Sequence, residues 1–476
     1  MHLGENRQKT AAATRLSLLW NDVRTSLGGS EHNFTQGSIG RAVFLLAVPM
    51  VLELSMQSVF GIFDVFFVAR LGADAVATVG LTESILTLVF SIATGVSMAA
   101  TAMIARRIGE KNQAAAAVAT VQAIYLGIIL SIPMAVIGLV YTPEILGLMG
   151  ATNEVVGIGS GYNQVMLGGN ITIMLLFLIN AAFRGAGEAV TAMRVLWLAN
   201  LLNIVLDPLL IFGLGPFPEM GVTGAAVATN LARGAGILYQ CIILVTSGSR
   251  IQIHREDLLP DLVVLRRLSR IAVGGVLQFL IATASWVALV RIIAIFGSSA
   301  LAGYTIAIRV IVFAILPSWG MSNAAATLVG QNLGANQPER AERSVWMTAY
   351  SNMVFLGLVT VVFVVFAEPV IRLFTDDGNI IPFAVNCLRF ISYGYVFYAF
   401  GMVMVQSFNG AGDTFTPTII NLFCYWLFQI PLAYLLAISV GLQANGVFIA
   451  IAVAESILAV ISVIVFRQGR WKLMQI

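Results

Sequence analysis

Long apolar stretches separated by short polar segments run along almost the whole chain. Most stretches exceed the roughly 20 apolar residues that a helix needs to cross the hydrocarbon core of a bilayer. We expect helices and not barrel strands, because barrel strands alternate over segments of about 10 residues. The pattern predicts twelve spanning helices, near 42–70, 76–105, 116–140, 159–183, 188–213, 222–246, 270–296, 299–330, 344–367, 382–407, 414–438 and 445–466.

The composition agrees with a lipid environment. Of the 476 residues, 59% are hydrophobic and only 10% are charged, and the mean hydropathy is +0.91. Soluble domains carry about 25% charged residues. A soluble fold of this length could not cover its surface with so few charges, so a soluble protein is excluded.

Basic residues are distributed unevenly between the two sides of the predicted membrane. With the N-terminus inside, 20 of the 26 Lys and Arg residues fall in the tails and loops of the inner side. Positive charge marks the cytoplasmic side, so both termini should be cytoplasmic in a multi-pass protein of the plasma (inner) membrane. The net charge of +3 then reflects topology, and the expected macromolecular surroundings are membrane lipid and not nucleic acid.

The chain contains an internal repeat. A shift of 225 residues aligns Gly72 with Gly297, Gly95 with Gly320, and the segment 183–188 with 408–413. We therefore expect an all-α integral membrane protein whose twelve transmembrane helices form two pseudo-symmetric six-helix lobes, a geometry seen in transporters. The expected divisions are a cytoplasmic tail 1–41, a first lobe 42–246, a cytoplasmic linker 247–268, a second lobe 269–466 and a cytoplasmic tail 467–476.

Acidic residues inside the predicted spans are the main candidates for function. An ionised carboxylate at the membrane centre costs about 2.5–3.5 kcal/mol on insertion scales. Asp64 lies in helix one, and Asn203 and Asp207 lie four apart on one face of helix five. Two converging carboxylates disfavour each other's ionisation, so one could carry H⁺; the same oxygens could hold Na⁺. An interhelical hydrogen-bond clamp is the structural alternative.

Other charged residues are weaker candidates. Glu53 lies on a similar face of helix one to Asp64, and Glu83 and Arg309 lie in helices two and eight. We treat all three as possible cavity residues, although packing partners would explain Glu83 and Arg309 as well. Glu455 is the only acid deep in the second half, and a structural role is favoured for it.

Several motifs together resemble those of the multidrug and toxic compound extrusion (MATE) family, from about residue 40 to near the end of the chain. These are the end of the first helix at 63–72, the turn 184–188 with its repeat 410–414, and the segment Val329-Gly-Gln-Asn-Leu-Gly334. The resemblance implies a twelve-helix, V-shaped exporter that is driven by inward H⁺ or Na⁺ and uses no cofactor.

The resemblance is closer to members with a cation site in the first lobe than to the NorM type. Members of the NorM type carry acids on helices seven and ten, where this chain has none. The resemblance implies a cation-coupling set of Asp64, Asp207, Asn203, Asn180, Tyr162 and Thr229, with Na⁺ possible at Asp64 and Asp207.

The predicted function is a secondary active efflux transporter that exchanges inward H⁺ or Na⁺ for small organic compounds. Buried carboxylates facing an apolar cavity favour lipophilic organic cations as substrates, and we expect a monomer. The alternative is a lipid-linked saccharide or polyprenyl flippase of the same superfamily. An enzyme is not expected, because His2, His32 and His254 all lie outside the predicted spans.

Overall fold

The computed structural model describes residues 22–29, 33–246 and 249–476, except for the side chains of Ile62, Asp64 and Val65. In these ranges eleven helices are long and apolar enough to cross a membrane, and a bent pair supplies a twelfth span. The spans are α1 Ile39–Ala69, α2 Ala73–Gly109, α3 Gln113–Val140, α4 Asn153–Ala186, α5 Ala189–Ile211, α6 Gly221–Val245, α7 Leu262–Ala294, α8 Ser298–Gly334, α9 Pro338–Val365, α10 Ile381–Tyr393 with Tyr395–Ala411, α11 Phe415–Ser439 and α12 Ala444–Arg467.

The predicted fold class, an all-α membrane protein of twelve spans, is confirmed. The clearest difference lies before α7, which begins at Leu262 and not near 270. The Asp261 carboxylate accepts hydrogen bonds from the backbone N–H groups of Val263 and Val264 at 2.8 and 3.1 Å. This N-terminal cap stabilises the first turn of the helix, so part of the predicted linker is helical.

The repeat is visible in the bounds of the helices. The helix α2 covers Ala73–Gly109 and α8 covers Ser298–Gly334, which are the same positions shifted by 225. The bounds of α3 and α9, Gln113–Val140 and Pro338–Val365, agree in the same way.

Glycines bring the two lobes into close contact at positions that the repeat relates. A Cβ atom on Gly109 of α2 would overlap the backbone of Gln331 in α8, and one on Gly334 would overlap the backbone of Arg106. Gln331 is the repeat mate of Arg106, just as Gly334 is the mate of Gly109. The contact is therefore the same on both sides of a pseudo-two-fold axis, as in an isologous interface.

These contacts close one end of the bundle, called the closed end below. Every residue of α8 from Ala324 to Gly334 is buried. Two hydrogen bonds cross between the lobes there: Thr327 Oγ1 donates to the Arg184 carbonyl at 3.1 Å, and Gln331 Nε2 donates to the Gly185 carbonyl at 2.9 Å. In the first half of α8 burial recurs only at every third or fourth residue, which is typical of a helix covered on one side.

Segments near both chain ends also lie at the closed end. Arg340 at the start of α9 donates to the carbonyls of Phe34 and Gly37 at 3.2 and 2.9 Å. Arg106 of α2 donates to the carbonyl of Met474 at 2.9 Å. Each terminal segment is thus held by an arginine of the opposite lobe.

Two spans are interrupted at repeat-related glycines. The helix of α4 is interrupted at Gly169, and that of α10 at Gly394. Only α10 is sharply bent, by 58°. A glycine is one of the usual places for such a kink. Because only α10 is bent in this way, the two lobes differ in shape.

Candidate functional site

A cavity of about 460 Å³ lies between the lobes next to the closed end. Its wall combines α1, α2 and α4 of the first lobe with α7, α8 and α10 of the second. Apolar and aromatic side chains such as Phe90, Phe177 and Trp319 alternate with polar ones. A volume of this size is in the range of small-molecule sites.

A buried ion pair forms the first-lobe wall of this cavity. Arg184 Nη1 lies 2.7 Å from Glu53 Oε1, and the Glu53 side chain is only 4% exposed. Asn180 Nδ2 is 3.5 Å from the same carboxylate oxygen, and Asn180 Oδ1 accepts a hydrogen bond from Gln240 Nε2 at 2.7 Å. The Glu53 charge is therefore compensated by the protein itself.

The second-lobe wall carries neutral amides instead. Asn409, the repeat mate of Arg184, donates from Nδ2 to Gln406 Oε1 at 2.8 Å. Gln406 Nε2 donates in turn to Asn323 Oδ1 at 2.7 Å. The two walls of the cavity thus differ in charge, although the backbone repeats.

A second polar group lies between α5 and α6 of the first lobe. Asn203 Nδ2 is 3.2 Å from Asp207 Oδ1 and 3.2 Å from Thr229 Oγ1. Asp207 is fully buried, and Asn203 and Thr229 are almost so. Asn203 Oδ1 makes no hydrogen bond within the described residues. Asn203 thus donates through its amide nitrogen to both oxygens, and the Asp207 carboxylate is the group here that can take up a proton or a hard cation.

The remaining members of the predicted cation-coupling set are placed as follows. Tyr162 is buried in the first-lobe core, in one cluster with Ile211 and Val222. Asn180 belongs to the Glu53 network, and no hydrogen bond between described residues joins it to Asp207. The backbone of Asp64 is part of α1, but its side chain lies outside the described residues.

The three possible cavity residues separate in the structure. Glu53 lies on the cavity wall. Glu83 and Arg309 are exposed on α2 and α8, one in each lobe and away from the closed end.

Sequence reasoning assigned Arg184 only to a cytoplasmic loop and missed its pairing with Glu53. Arg184 belongs to the last turn of α4 and precedes a left-handed Gly187 that ends the helix. A basic residue in a last helical turn is commonplace. One signal was available, since the repeat aligns Arg184 with the neutral Asn409 and Glu53 with the neutral Gln278.

Comparisons with known proteins agree with this architecture. A family model described as MatE matches residues 49–209 and 275–435, one stretch in each lobe. The "Probable multidrug resistance protein NorM" of Thermotoga maritima is 29% identical over 442 residues, which cover 91% of this chain and 93% of that protein. The "Probable multidrug resistance protein YoeA" of Bacillus subtilis is 25% identical, with 92% and 96% covered.

Solved structures give the same result. An "Outward-facing conformation of a multidrug resistance MATE family transporter of the MOP superfamily" superposes with a TM-score of 0.85 at 27% identity, covering 92% of this chain and 96% of that one. The relatives are transporters and not enzymes, and the spanning helices together with these relatives indicate a multi-pass protein of the plasma membrane. With the family match extending over more than half of its residues, the chain belongs to the MATE family of transporters.

Proposed function

We propose that this chain is a monomeric antiporter that exchanges inward H⁺, or alternatively Na⁺, for outward small organic cations. The observation that carries the proposal is the cavity of about 460 Å³ between two repeat-related lobes, next to the end at which glycines bring the lobes together. Two lobes that meet across glycines can rock against each other and expose such a cavity alternately to either side. Drug resistance in the named relatives supports export.

We assign the coupling ion to the first lobe, as in MATE members with a first-lobe cation site. The Asp207 carboxylate and the Thr229 hydroxyl lie together there, because the Asn203 amide nitrogen is 3.2 Å from an oxygen of each. Asp64 of α1 is the second carboxylate of the proposed site.

The second lobe supports this assignment because the positions that correspond to the proposed site are apolar there. The repeat mates of Asp64 and Tyr162 are Leu289 and Cys387, which are fully buried in one apolar cluster. The mate of Asp207 is Leu432, which packs against that cluster. Because the repeat places these three positions together in the second lobe, we expect the corresponding positions to be neighbours in the first.

Exchange requires that ion and substrate favour different arrangements of the lobes. A ligand shifts a conformational equilibrium only by its difference in affinity for the two states. Neutralising Asp207 removes a negative charge buried between α5 and α6. The neutral form can therefore favour a different arrangement of the lobes from the charged form. We propose that the closed end is cytoplasmic, so that the structure is open to the outside.

A flippase for lipid-linked saccharides is the second candidate, and the cavity does not favour it. An anionic head group would need an available cation on the wall. The Arg184 guanidinium is instead engaged by Glu53 at 2.7 Å.

The test is export from proteoliposomes in which H⁺ and Na⁺ gradients are imposed separately. We expect Asp207→Asn and Asp64→Asn each to abolish gradient-driven export of a lipophilic cation, while the protein still inserts. A matched control is Leu289→Met at the repeat mate of Asp64, since volume-conserving core changes cost less than about 1.5 kcal/mol. Normal export by Asp207→Asn would refute the first-lobe site. Whichever of the two imposed gradients drives export by the wild type identifies the coupling ion.

A further inference from the structure

A second cavity system extends from the central cavity into the second lobe. Its first part, of about 240 Å³, shares Phe279 and Trp319 with the central cavity. The two rings stack with their centroids 6.2 Å apart, and both rings border the central cavity as well as the first part of the second system. The inner part, of about 140 Å³, shares Trp286 and Tyr398 with the first part and reaches Glu455 of α12. This system is called the second-lobe branch below.

The acid at the inner end has no basic partner among the described residues. It contacts Tyr425, whose Oη lies 3.5 Å from Glu455 Oε2, and no Lys or Arg nitrogen of the described residues lies within 4.0 Å of it. Glu53, by contrast, is paired with Arg184. The Glu455 side chain is partly exposed and lines the inner part of the branch. A carboxylate in so apolar a wall is costly unless a cation or a proton compensates it, so here a bound cation or proton has to do so.

The repeat shows that this acid is not needed to build the lobe. The first-lobe mate of Glu455 is Asn230, which packs directly over the helix break at Gly169. Asn230 Nδ2 donates to the Val165 carbonyl at 2.9 Å, and its Oδ1 accepts from Thr172 Oγ1 at 2.7 Å. The first-lobe amide is thus fully used in bridging the break.

At the corresponding break in α10 the helix bends by 58°, and the backbone of Ala452 in α12 packs against Gly394, the mate of Gly169. Gly394 and Ala452 line the inner part of the branch together with Glu455. Glu455 therefore borders this space and does not bridge the break as Asn230 does in the first lobe.

Two more buried groups point to a ligand. Gln278 and Asn421 line the branch and are 6% and 5% exposed. Gln278 Oε1 and Asn421 Oδ1 make no hydrogen bond within the described residues. Buried polar atoms without partners are rare in proteins, and both of these atoms are acceptors.

The wall chemistry selects the kind of ligand. Trp286, Tyr398 and Tyr425 surround the inner part, and aromatic faces attract cations, above all diffuse organic ones. A bare Na⁺ would need a close shell of oxygen atoms, whereas most of this wall is aromatic or aliphatic. The space exceeds what a metal ion occupies.

We propose that the second-lobe branch binds a monovalent organic cation with a hydrophobic body, its charge facing Glu455 and its body lying on Trp286 and Tyr398. This inference rests on the proposed export function for the choice of ligand class, but binding itself needs no gradient. It separates the two tasks: the ion is bound in the first lobe and the drug in the second.

Equilibrium binding of radiolabelled tetraphenylphosphonium to the full-length protein in nanodiscs tests the proposal. We expect Glu455→Gln to raise the Kd by at least about tenfold, because a desolvated charge pair is lost. Trp286→Leu should raise it by about fivefold through loss of the aromatic face.

Three controls make the result specific. Glu368→Gln removes an exposed acid and should leave the Kd unchanged, and neutral triphenylphosphine oxide should bind Glu455→Gln and the wild type alike. Asp207→Asn should lose export whatever the branch binds. Export by that variant would contradict the coupling proposal, whereas the Kd values of Glu455→Gln and Trp286→Leu alone decide on the branch.

Wild-type affinity in both Glu455→Gln and Trp286→Leu would overturn the proposal, as would no binding of the probe to the wild type. Radiolabelled sodium that binds only when Glu455 is present, with no change in the probe's Kd, would replace the organic-cation site by a sodium site.

Discussion

At the scale of single residues, the repeat separates charges that belong to function from positions that only shape the lobe. The ion pair of Glu53 and Arg184 lines the cavity, whereas their mates Gln278 and Asn409 are neutral amides. A buried ion pair is often no more stable than a neutral replacement, but breaking one by removing a single partner is costly. The second lobe shows which neutral replacement the same backbone accepts.

This comparison predicts the outcome of a double-mutant cycle. Glu53→Gln and Arg184→Asn should each lower the free energy of unfolding in detergent by about 3 kcal/mol, because each leaves a buried charge alone. The double variant, which copies the second-lobe residues, should lose at least about 1 kcal/mol less than the sum of the two. The exposed pair Arg372 and Glu368, also 2.7 Å apart, is the control, with a coupling below about 1 kcal/mol. Strictly additive losses at Glu53 and Arg184 would contradict the expectation.

How far residue roles could be predicted depended on whether the partner lies on the same helix. The four-residue spacing of Asn203 and Asp207 predicted that they share a face, and the structure places them 3.2 Å apart. Asn180 was assigned to the same group, yet its hydrogen bonds go to Glu53 and Gln240. Those partners come from α1 and α6, and contacts between helices cannot be obtained from spacing along one of them.

At the scale of helices, small residues decide where the lobes touch. Without a hydrophobic driving force between helices in lipid, association depends on close packing, which glycine permits. Gly109 and Gly334 provide it at the closed end, where a Cβ atom on either would overlap backbone of the opposite lobe. At Gly80, on the same helix as Gly109, a Cβ atom would have no neighbouring atom within 4 Å.

Gly109→Ala should therefore open the closed end, and Gly80→Ala should not. Overlap of this kind costs about 1–3 kcal/mol, whereas alanine in an unobstructed helix is favourable by about 0.5–1 kcal/mol relative to glycine. The measurement is labelling of Leu328→Cys, a fully buried position between the lobes, by an impermeant reagent in inverted vesicles. We expect faster labelling and slower export with Gly109→Ala. Equal labelling in both glycine variants would show that this contact does not seal the cavity.

Helix positions were predictable and helix bends were not. Apolar runs predicted most span ends to within about four residues, but α4 and α9 begin six residues early, at Asn153 and Pro338, and α7 begins eight early, where Asp261 caps it. The interruptions at Gly169 and Gly394 have the same residue in the same place of the repeat, but only the second bends sharply. The two breaks differ in what packs against them: the hydrogen-bonded Asn230 side chain in one lobe and the backbone of Ala452 in the other. Such a distinction exists only once the helices are assembled.

At the scale of the whole molecule, the closed end gathers both terminal segments and the inter-lobe contacts. Arg340 holds the carbonyls of Phe34 and Gly37, and Arg106 holds that of Met474. An even number of spans requires both segments to be on one side of the membrane. The unequal distribution of Lys and Arg predicts that this side is the cytoplasm.

Cysteine labelling in intact cells tests this orientation. The positions are Asn153, Leu442 and Arg255, which are all exposed in loops or at helix ends, so accessibility to the reagent depends on the side of the membrane alone. The native Cys241, Cys387 and Cys424 are replaced first, since Cys241 is itself exposed. With an impermeant maleimide we expect labelling of Asn153→Cys and Leu442→Cys at once, and of Arg255→Cys only after the membrane is permeabilised. Labelling of Arg255→Cys in intact cells would reverse the orientation, and the structure would then be open to the cytoplasm and not to the outside.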